Sequence, residues 1–307
     1  MIYIVFMALA VVIYYLMGGE KIQGQKSGTL YCVMMGTLLF LIAGLRGESV
    51  GNDTDGYIRH FFDAMNMPFR EILRNYEEPV FYFLCRIIGI FTNSPQIMLM
   101  VVGAITGFSF AHFIRKHSVN YMLSFLMLFP FQFYSFCLSG LRQALALSLV
   151  LIAYDFVVER RFVPFLIIIA VAFFSHTSAL FALPIYLLPN KKPKPLEVFI
   201  ILLIVPAIYF SRRLILSVGL QYVYSDYELL SSERVSILTV ILYGLLAIWP
   251  FFVFKKAKED NFRVMKCVFL GFIIQLFVAL EPNIFRIALY YQLFGLLIVP
   301  LLINEVK

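Results

Sequence analysis

Charge is what this chain has least of: only 14% of its 307 residues are Asp, Glu, Lys or Arg, against 62% apolar and 17% aromatic. So few charges cannot cover a single water-soluble globule of this length, and that class is excluded. Cysteine is scarce as well. Cys32, Cys85, Cys137 and Cys267 show no paired metal-ligand spacing and lie mostly inside apolar runs, which argues for packing and against a zinc site or a disulfide framework. The net charge is +7, yet no basic stripe with interleaved aromatics occurs on a soluble element, so nucleic acid is not an expected partner. No basic stretch precedes the first apolar run, Met1 to Met17, and no small-residue cleavage site follows it. It reads as a retained span rather than a removed signal peptide.

What fills the chain instead is apolar runs, recurring from end to end, long enough for a hydrocarbon core of about 30 Å and separated by short polar or proline-marked breaks. The expected fold is all-α, a polytopic transmembrane helix bundle forming one integral membrane domain over residues 1–307. Spans are expected near 1–17, 29–45, 97–114, 119–138, 141–158, 162–174, 177–189, 196–215, 236–254, 264–280 and 285–303, about eleven crossings. Residues 79–93 do not fit the alternation and are expected to form a re-entrant or interfacial helix.

The positive-inside rule puts Lys21 and Lys26, Arg115 and Lys116, Arg160 and Arg161, Lys191 to Lys194, and Lys255 to Lys266 on the cytoplasmic face. On that topology the inner face carries fifteen Lys and Arg against seven acids, and the outer face ten basic residues against eleven acids, all ten being arginine. Lysine is a compact hydrated charge, whereas the arginine fork matches phosphate or carboxylate oxygens in pairs. An all-arginine outer face therefore points to phosphate handling; pairing of these arginines with outer Asp and Glu is the plainer alternative.

Three positions stand at helix starts. Arg142 follows Ser139 and Gly140 at the outer start of one span, and Arg286 follows Pro282 and Asn283 at another. There the partial positive charge of the helix end adds to the guanidinium and favours an anion. The third is Ser175-His176-Thr177-Ser178, between apolar stretches of only about 13 residues each, too short for an untilted crossing. An ionisable side chain below the membrane surface is costly unless it faces a polar cavity or a partner, which makes function the first hypothesis. For His176 a neutral imidazole held by Ser175, Thr177 and Ser178 is an equal alternative. His60, His112 and His117 receive no role.

Two outer loops are expected to be functional, 46–78 and 216–235. The first contains LRGESVGNDTDGYIRHFF, in which Gly47, Gly51 and Gly56 permit a tight backbone, Asp53 and Asp55 are one residue apart, and Tyr57, Phe61 and Phe62 offer anchoring or sugar-stacking surfaces. NDTDG read as a simple Asx turn remains open, and the ligand pattern of a calcium loop is absent. The second loop, QYVYSDYELLSSERVS, is rich in Tyr and acids.

Several segments in order, LRGESVGNDTDGYIRHF, EEPVFYFLCRIIG, GLRQALALSLVLIAY, FFSHTSALFALPIYLL, and Arg286 followed by Tyr290 and a span-ending Pro, resemble the EpsG-type exopolysaccharide polymerases, relatives of the Wzy O-antigen polymerases. The loop GNDTDGY is longer than the family's G-x-D-Y form, so Asp53 and Asp55 both stand as candidates. The resemblance implies a GT-C-like membrane glycosyltransferase in the bacterial inner membrane, with its active site facing the periplasm or cell exterior. It would move a growing glycan from undecaprenyl pyrophosphate onto the next lipid-linked repeat unit. The implied partners are the lipid-linked donor and acceptor, membrane lipid and a chain-length regulator protein.

A pyrophosphate leaving group needs neutralisation, which Arg142, Arg286 and Arg46 with helix N-termini can supply, so no metal and no cofactor is called for. An acceptor hydroxyl must lose a proton, for which His176 is the expected base, with Asp53 or Asp55 as substitutes. Tyr57, Gln143 and Tyr290 are the expected glycan contacts. A transporter or flippase of lipid-linked sugars, and a membrane O-acyltransferase with an embedded His as base, are the alternatives. No matched Gly/Pro-broken halves favour the first, and the outward placement of His176 disfavours the second.

Overall fold

In the computed structural model every element among the described residues is helical. Described are residues 1–306 apart from 195, 198, 201–202, 212–213, 215–236, 254–260 and 279–280. The expected loop 216–235 therefore lies outside the described residues. The chain divides into two compact units, Met1–Tyr186 and Leu187–Lys307.

The first unit contains α1 (Ile2–Leu16), α2 (Lys26–Gly44), α3 (Thr54–Met65), α4 (Phe69–Asn75), α5 (Pro79–Gly89), α6 (Pro95–His117), α7 (Tyr121–Met127), α8 (Phe133–Ser139), α9 (Leu141–Val158), α10 (Phe162–Ser175) and a 3₁₀ turn over Thr177–Ala182, with the short α11 (Pro184–Leu187) at its end. Its frame is the antiparallel pair α2 and α6. Gly103, Gly107 and Ala111 recur every four residues along α6, on one helical face, and meet Gly36, Ala43 and Gly44 of α2. A Cβ on Gly107 would stand 2.8 Å from the Gly36 carbonyl oxygen, and one on Gly103 2.9 Å from Ala43 Cβ. Small residues let two backbones touch where no hydrophobic effect drives helices together in lipid.

Helix polarity sorts the charges of this unit by end. Arg115 on the last turn of α6 donates to Thr29 at the start of α2, and Lys116 pairs with Asp155 near the end of α9. At the opposite end, Gln96 at the start of α6 donates to the Gly44 carbonyl at the end of α2. Lys26, Arg115, Lys116, Arg160 and Arg161 thus share one end, and Arg46, Glu78, Arg142 and His176 the other. The separation of lysine from the candidate site arginine, expected from insertion bias, is present in this unit's geometry.

Two expectations are modified. Residues 119–138 do not form one span but two seven-residue helices, α7 and α8, broken where Pro130 cannot donate a backbone bond and Gln132 takes a left-handed φ of 58°. The segment 46–78 is not an open loop, since α3 and α4 occupy most of it. Tyr57, Ile58, Phe61, Ala64 and Met65 line the buried face of α3 at helical spacing. The eleven-residue α5 is amphipathic and, at about 16 Å, too short to cross. Its Phe81, Tyr82, Cys85 and Ile88 share a core with that face, with Met98, Leu99 and Val102 of α6, and with Leu141 and Leu145 of α9. This core seats the α3–α5 cap on the starts of α6 and α9.

The second unit contains α12 (Ile237–Ile248), α13 (Pro250–Val253), α14 (Asn261–Val278), α15 (Phe285–Gln292) and α16 (Gly295–Val306). Gly271 of α14 lets Tyr291 and Gln292 of α15 approach, and Gln292 donates to Gln275 at 2.7 Å. By length and hydropathy four described helices suffice to cross a membrane, or five if the 40° bend between α15 and α16 lies within one span; α1, α5 and α10 are shorter apolar helices. The class is a multi-pass membrane helical bundle.

If close contact of α2 and α6 sets the frame, Gly107→Ala should destabilise the protein by about 1–3 kcal/mol. Gly47→Ala, with no atom within 4 Å of the added methyl, should leave it unchanged. Thermal unfolding in detergent checks both, and equal melting of the two variants would contradict the packing.

Candidate functional site

Glu78 ends the linker before α5. Its place before Pro79 disfavours a helical backbone there, and its φ of −114° and ψ of 68° carry it off the helix it precedes. The side chain does not cap α5 and reaches other elements instead. Oε2 receives Arg142 Nη1 of α9 at 2.9 Å. Oε1 lies 3.2 Å from His176 Nδ1, accepts the Thr177 backbone N–H at 2.8 Å and accepts the Thr177 hydroxyl at 3.2 Å. One carboxylate joins three segments.

Burial gives this contact its weight. The side chains of Glu78 and His176 are 12% and 13% exposed, while that of Arg142 is 35% exposed. A carboxylate so enclosed is tolerable only with partners, and here both oxygens have them. The Glu78 charge also lies at the start of the 3₁₀ turn, where a backbone N–H seeks an acceptor.

His176 breaks α10 with an extended backbone, φ −159° and ψ 123°, and caps the following turn. Its Nδ1 lies 3.3 Å from the Ser178 backbone nitrogen and 3.2 Å from Ser178 Oγ, as well as facing Glu78. One nitrogen cannot at once donate to Glu78 and accept from the Ser178 N–H. Protonated at Nδ1, the ring points its hydrogen at the carboxylate and makes Nε2 the basic nitrogen; unprotonated there, it accepts from Ser178. The expected serine shell is only partly present, because Ser175 donates to the Val171 carbonyl and Thr177 turns to Glu78.

Arg142 is the second residue of α9, at the expected helix start. Tyr57 lies beside it, and the Tyr57 ring packs on Phe81 with centroids 5.2 Å apart. Tyr57 is thus a buried neighbour of Arg142. Tyr82 stacks on Tyr76 at 3.5 Å, and His60 lies against both Tyr57 and Tyr82. Burial first, then the Arg142 charge, holds the His60 imidazole below its ordinary pKa. Arg142 Nε is buried and without a partner among the described residues, so one edge of the fork is anchored and a donor remains.

The other expected site residues are placed elsewhere. Asp55 pairs with Arg59 across an exposed turn of α3, and Asp53 stands at the N-terminus of α3 without capping it. Neither contacts the Glu78 cluster. Gln143 is buried within α9. Arg286 is the exposed second residue of α15, and Tyr290 is fully buried in the same helix; both belong to the second unit. Arg46 lines a separate cavity with Tyr3 and Leu138.

Sequence reasoning missed Glu78. The signal was present as an acid directly before a helix-starting proline, and as the partner an embedded Arg142 requires. It also passed over His112 and His117. Both ring Nε2 atoms lie 2.7 Å from Asp155 carboxylate oxygens, Lys116 Nζ lies 2.8 Å from the same group, and Glu159 links Lys116 to Arg161. This network ties α6 to α9 at the lysine-bearing end, remote from Glu78 along both helices.

A double-mutant cycle measures the central pair. Glu78→Gln and Arg142→Gln should each lower the melting temperature, with a coupling of about 1 kcal/mol, kept modest because Arg142 is partly solvated. Additive effects within about 0.3 kcal/mol would mean the two do not touch.

No curated protein and no solved structure matches the chain. The family model described as the EpsG family matches residues 29–307, a stretch that holds Glu78, Arg142, His176 and Arg286. The chain belongs to the EpsG family.

Proposed function

We propose that the protein is a polysaccharide polymerase that transfers a growing glycan from undecaprenyl pyrophosphate to a lipid-linked repeat unit at the outer leaflet of the bacterial inner membrane. Family membership supports an exopolysaccharide polymerase-type function. The observation that carries the finer reading is the Glu78 carboxylate between Arg142 and His176, a base and an anion holder supported by one group.

In this reading an acceptor sugar hydroxyl attacks the anomeric carbon of the donor glycan. Its proton passes to His176 Nε2, the new C–O bond forms, and the bond from the anomeric carbon to the pyrophosphate oxygen breaks with its electron pair leaving on the phosphate. Glu78 receives Nδ1–H, fixes the tautomer and stabilises the imidazolium. Arg142 meets the charge growing on the leaving diphosphate, aided by the N-terminus of α9. Arg286, also at a helix start, is assigned a phosphate-binding role on its own account. Glu78 is thus a positioning residue and His176 the catalytic base. Tyr57 positions Arg142, while Asp53, Asp55, Gln143 and Tyr290 are assigned no step.

Substitution separates these roles. His176→Ala should reduce polymerisation by roughly 10²–10⁴-fold and leave single repeat units on the carrier. Arg142→Lys keeps the charge but loses the fork and should cost at least about tenfold. The same loss is expected for Arg286→Lys. Polymer of normal length and amount from His176→Ala would remove it from catalysis, and from both lysine variants would remove the phosphate assignment.

Orientation has its own check, eased because all four native cysteines are buried. Asn52→Cys should react with an impermeant thiol reagent from outside, and Arg160→Cys only after the inner membrane is opened. The reverse pattern would put the proposed site on the wrong side.

A further inference from the structure

Between the start of α1 and the end of α2 lies a cavity of about 400 Å³. Its walls are Ile2 and Tyr3 of α1, Leu41, Ile42 and Leu45 at the end of α2, Val50 of the following loop and Leu138 of α8. The one strongly polar member of this lining is Arg46. Neither Arg142 nor Glu78 contributes to it.

Two observations meet at Arg46. The residue is only 6% exposed, and its Nε and Nη2 atoms are buried with no hydrogen-bond partner among the described residues. Among the described residues no carboxylate pairs with it, and its nearest charged or polarisable neighbours are Tyr134, Cys137 and Tyr3. A guanidinium kept from water without an anion is a strongly unfavourable arrangement, because burial removes hydration and nothing replaces it. The surroundings hold it in place regardless. Gly51, at φ +95°, lets the loop pass so near α8 that a Cβ would stand 2.4 Å from the Leu138 carbonyl oxygen, and the Asn52 N–H donates to Ser139 Oγ at 3.2 Å. Gln96 binds the carbonyls of Gly44 and Arg46 from α6.

The cavity is also open along apolar surface. Ile2, Leu41, Leu45 and Val50 are all exposed, Leu45 at 61%, so the walls run onto exposed apolar surface of a helix that reaches membrane length. A hydrated free anion would gain nothing from such walls. An amphiphile with an anionic head would satisfy both the buried cation and the apolar lining.

We infer that the α1–α2 cavity binds the phosphate headgroup of a membrane lipid, with Arg46 as its counter-ion and the adjoining part of the lipid chain against Ile2, Leu41, Ile42 and Leu45. This site is distinct from the Glu78 cluster and holds whether or not the polymerase reading does. Its readout is binding, not polymer formation.

The test uses the purified full chain in a neutral detergent, with native mass spectrometry and thermal shift as readouts. The probes are undecaprenyl monophosphate and dioleoyl phosphatidic acid, which share a headgroup, with undecaprenol, dioleoylglycerol and inorganic phosphate as controls. One or both phosphate lipids should bind and stabilise the protein, and the better binder identifies the natural tail. The controls should not. Arg46→Gln should weaken binding by roughly tenfold or more, the loss of a charge-assisted contact. Leu41→Trp, at an exposed lining position, keeps the charge and fills the space, and should weaken it as well if Arg46→Gln fails to fold. The inference falls if the controls bind as well as the phosphate lipids. It also falls if both variants bind like the wild type, or if inorganic phosphate alone reproduces the shift.

Discussion

The candidate site depends on one carboxylate. Glu78 spans residues far apart in the chain, Arg142 at the start of α9 and His176–Thr177 where α10 gives way to a 3₁₀ turn. Its near-complete enclosure makes the contact consequential, because an enclosed charge left without partners loses hydration and gains nothing in return. The apolar core beneath α3 and α5 holds Glu78 at that depth, and the glycine-lined contact of α2 with α6 supports the helix on which much of that core rests.

The two ends of the first unit use charge differently. At the lysine-bearing end, Asp155 is surrounded by His112, Lys116 and His117, a network with more donors than acceptors that fastens α6 to α9. At the other end arginine replaces lysine, and donors are left over: Arg142 Nε in one place, Arg46 Nε and Nη2 in another. Unused donors on forked, fixed cations are what phosphate recognition requires. The first unit thus carries a fastening between α6 and α9 at one end and binding capacity, on α9 and just after α2, at the other.

How much of this could be read from the residues depends on how local the signal is. Arg142 and His176 were legible because Ser, Gly and a broken apolar run mark helix starts within a few positions, and the non-crossing helix expected over 79–93, found at Pro79–Gly89, was legible because a crossing there would put Arg115 and Lys116 on the wrong face. The α3 helix was hidden by GNDTDG, whose turn-forming residues mask a buried face that begins with the polar Thr54 and turns apolar at Tyr57. The break in 119–138 needed the left-handed Gln132 after Pro130, a conformation that composition does not announce. For Glu78 the sequence offers only the acid before a helix-starting proline, and for Asp155 not even that, since each acquires its meaning from partners on other helices. Pairing across the bundle is set by packing, and nothing in local periodicity encodes it.

The most direct measurement is the protonation state of the His176 ring in the full-length protein, read by nitrogen-15 solid-state NMR with labelled histidine. The chain has four histidines, so a His176→Gln sample assigns the signal. If Glu78 orients this residue as a base, Nδ1 carries the proton, its resonance shows a hydrogen bond to a carboxylate, and Glu78→Gln shifts it. An Nδ1 without a proton, unchanged by Glu78→Gln, would contradict the account.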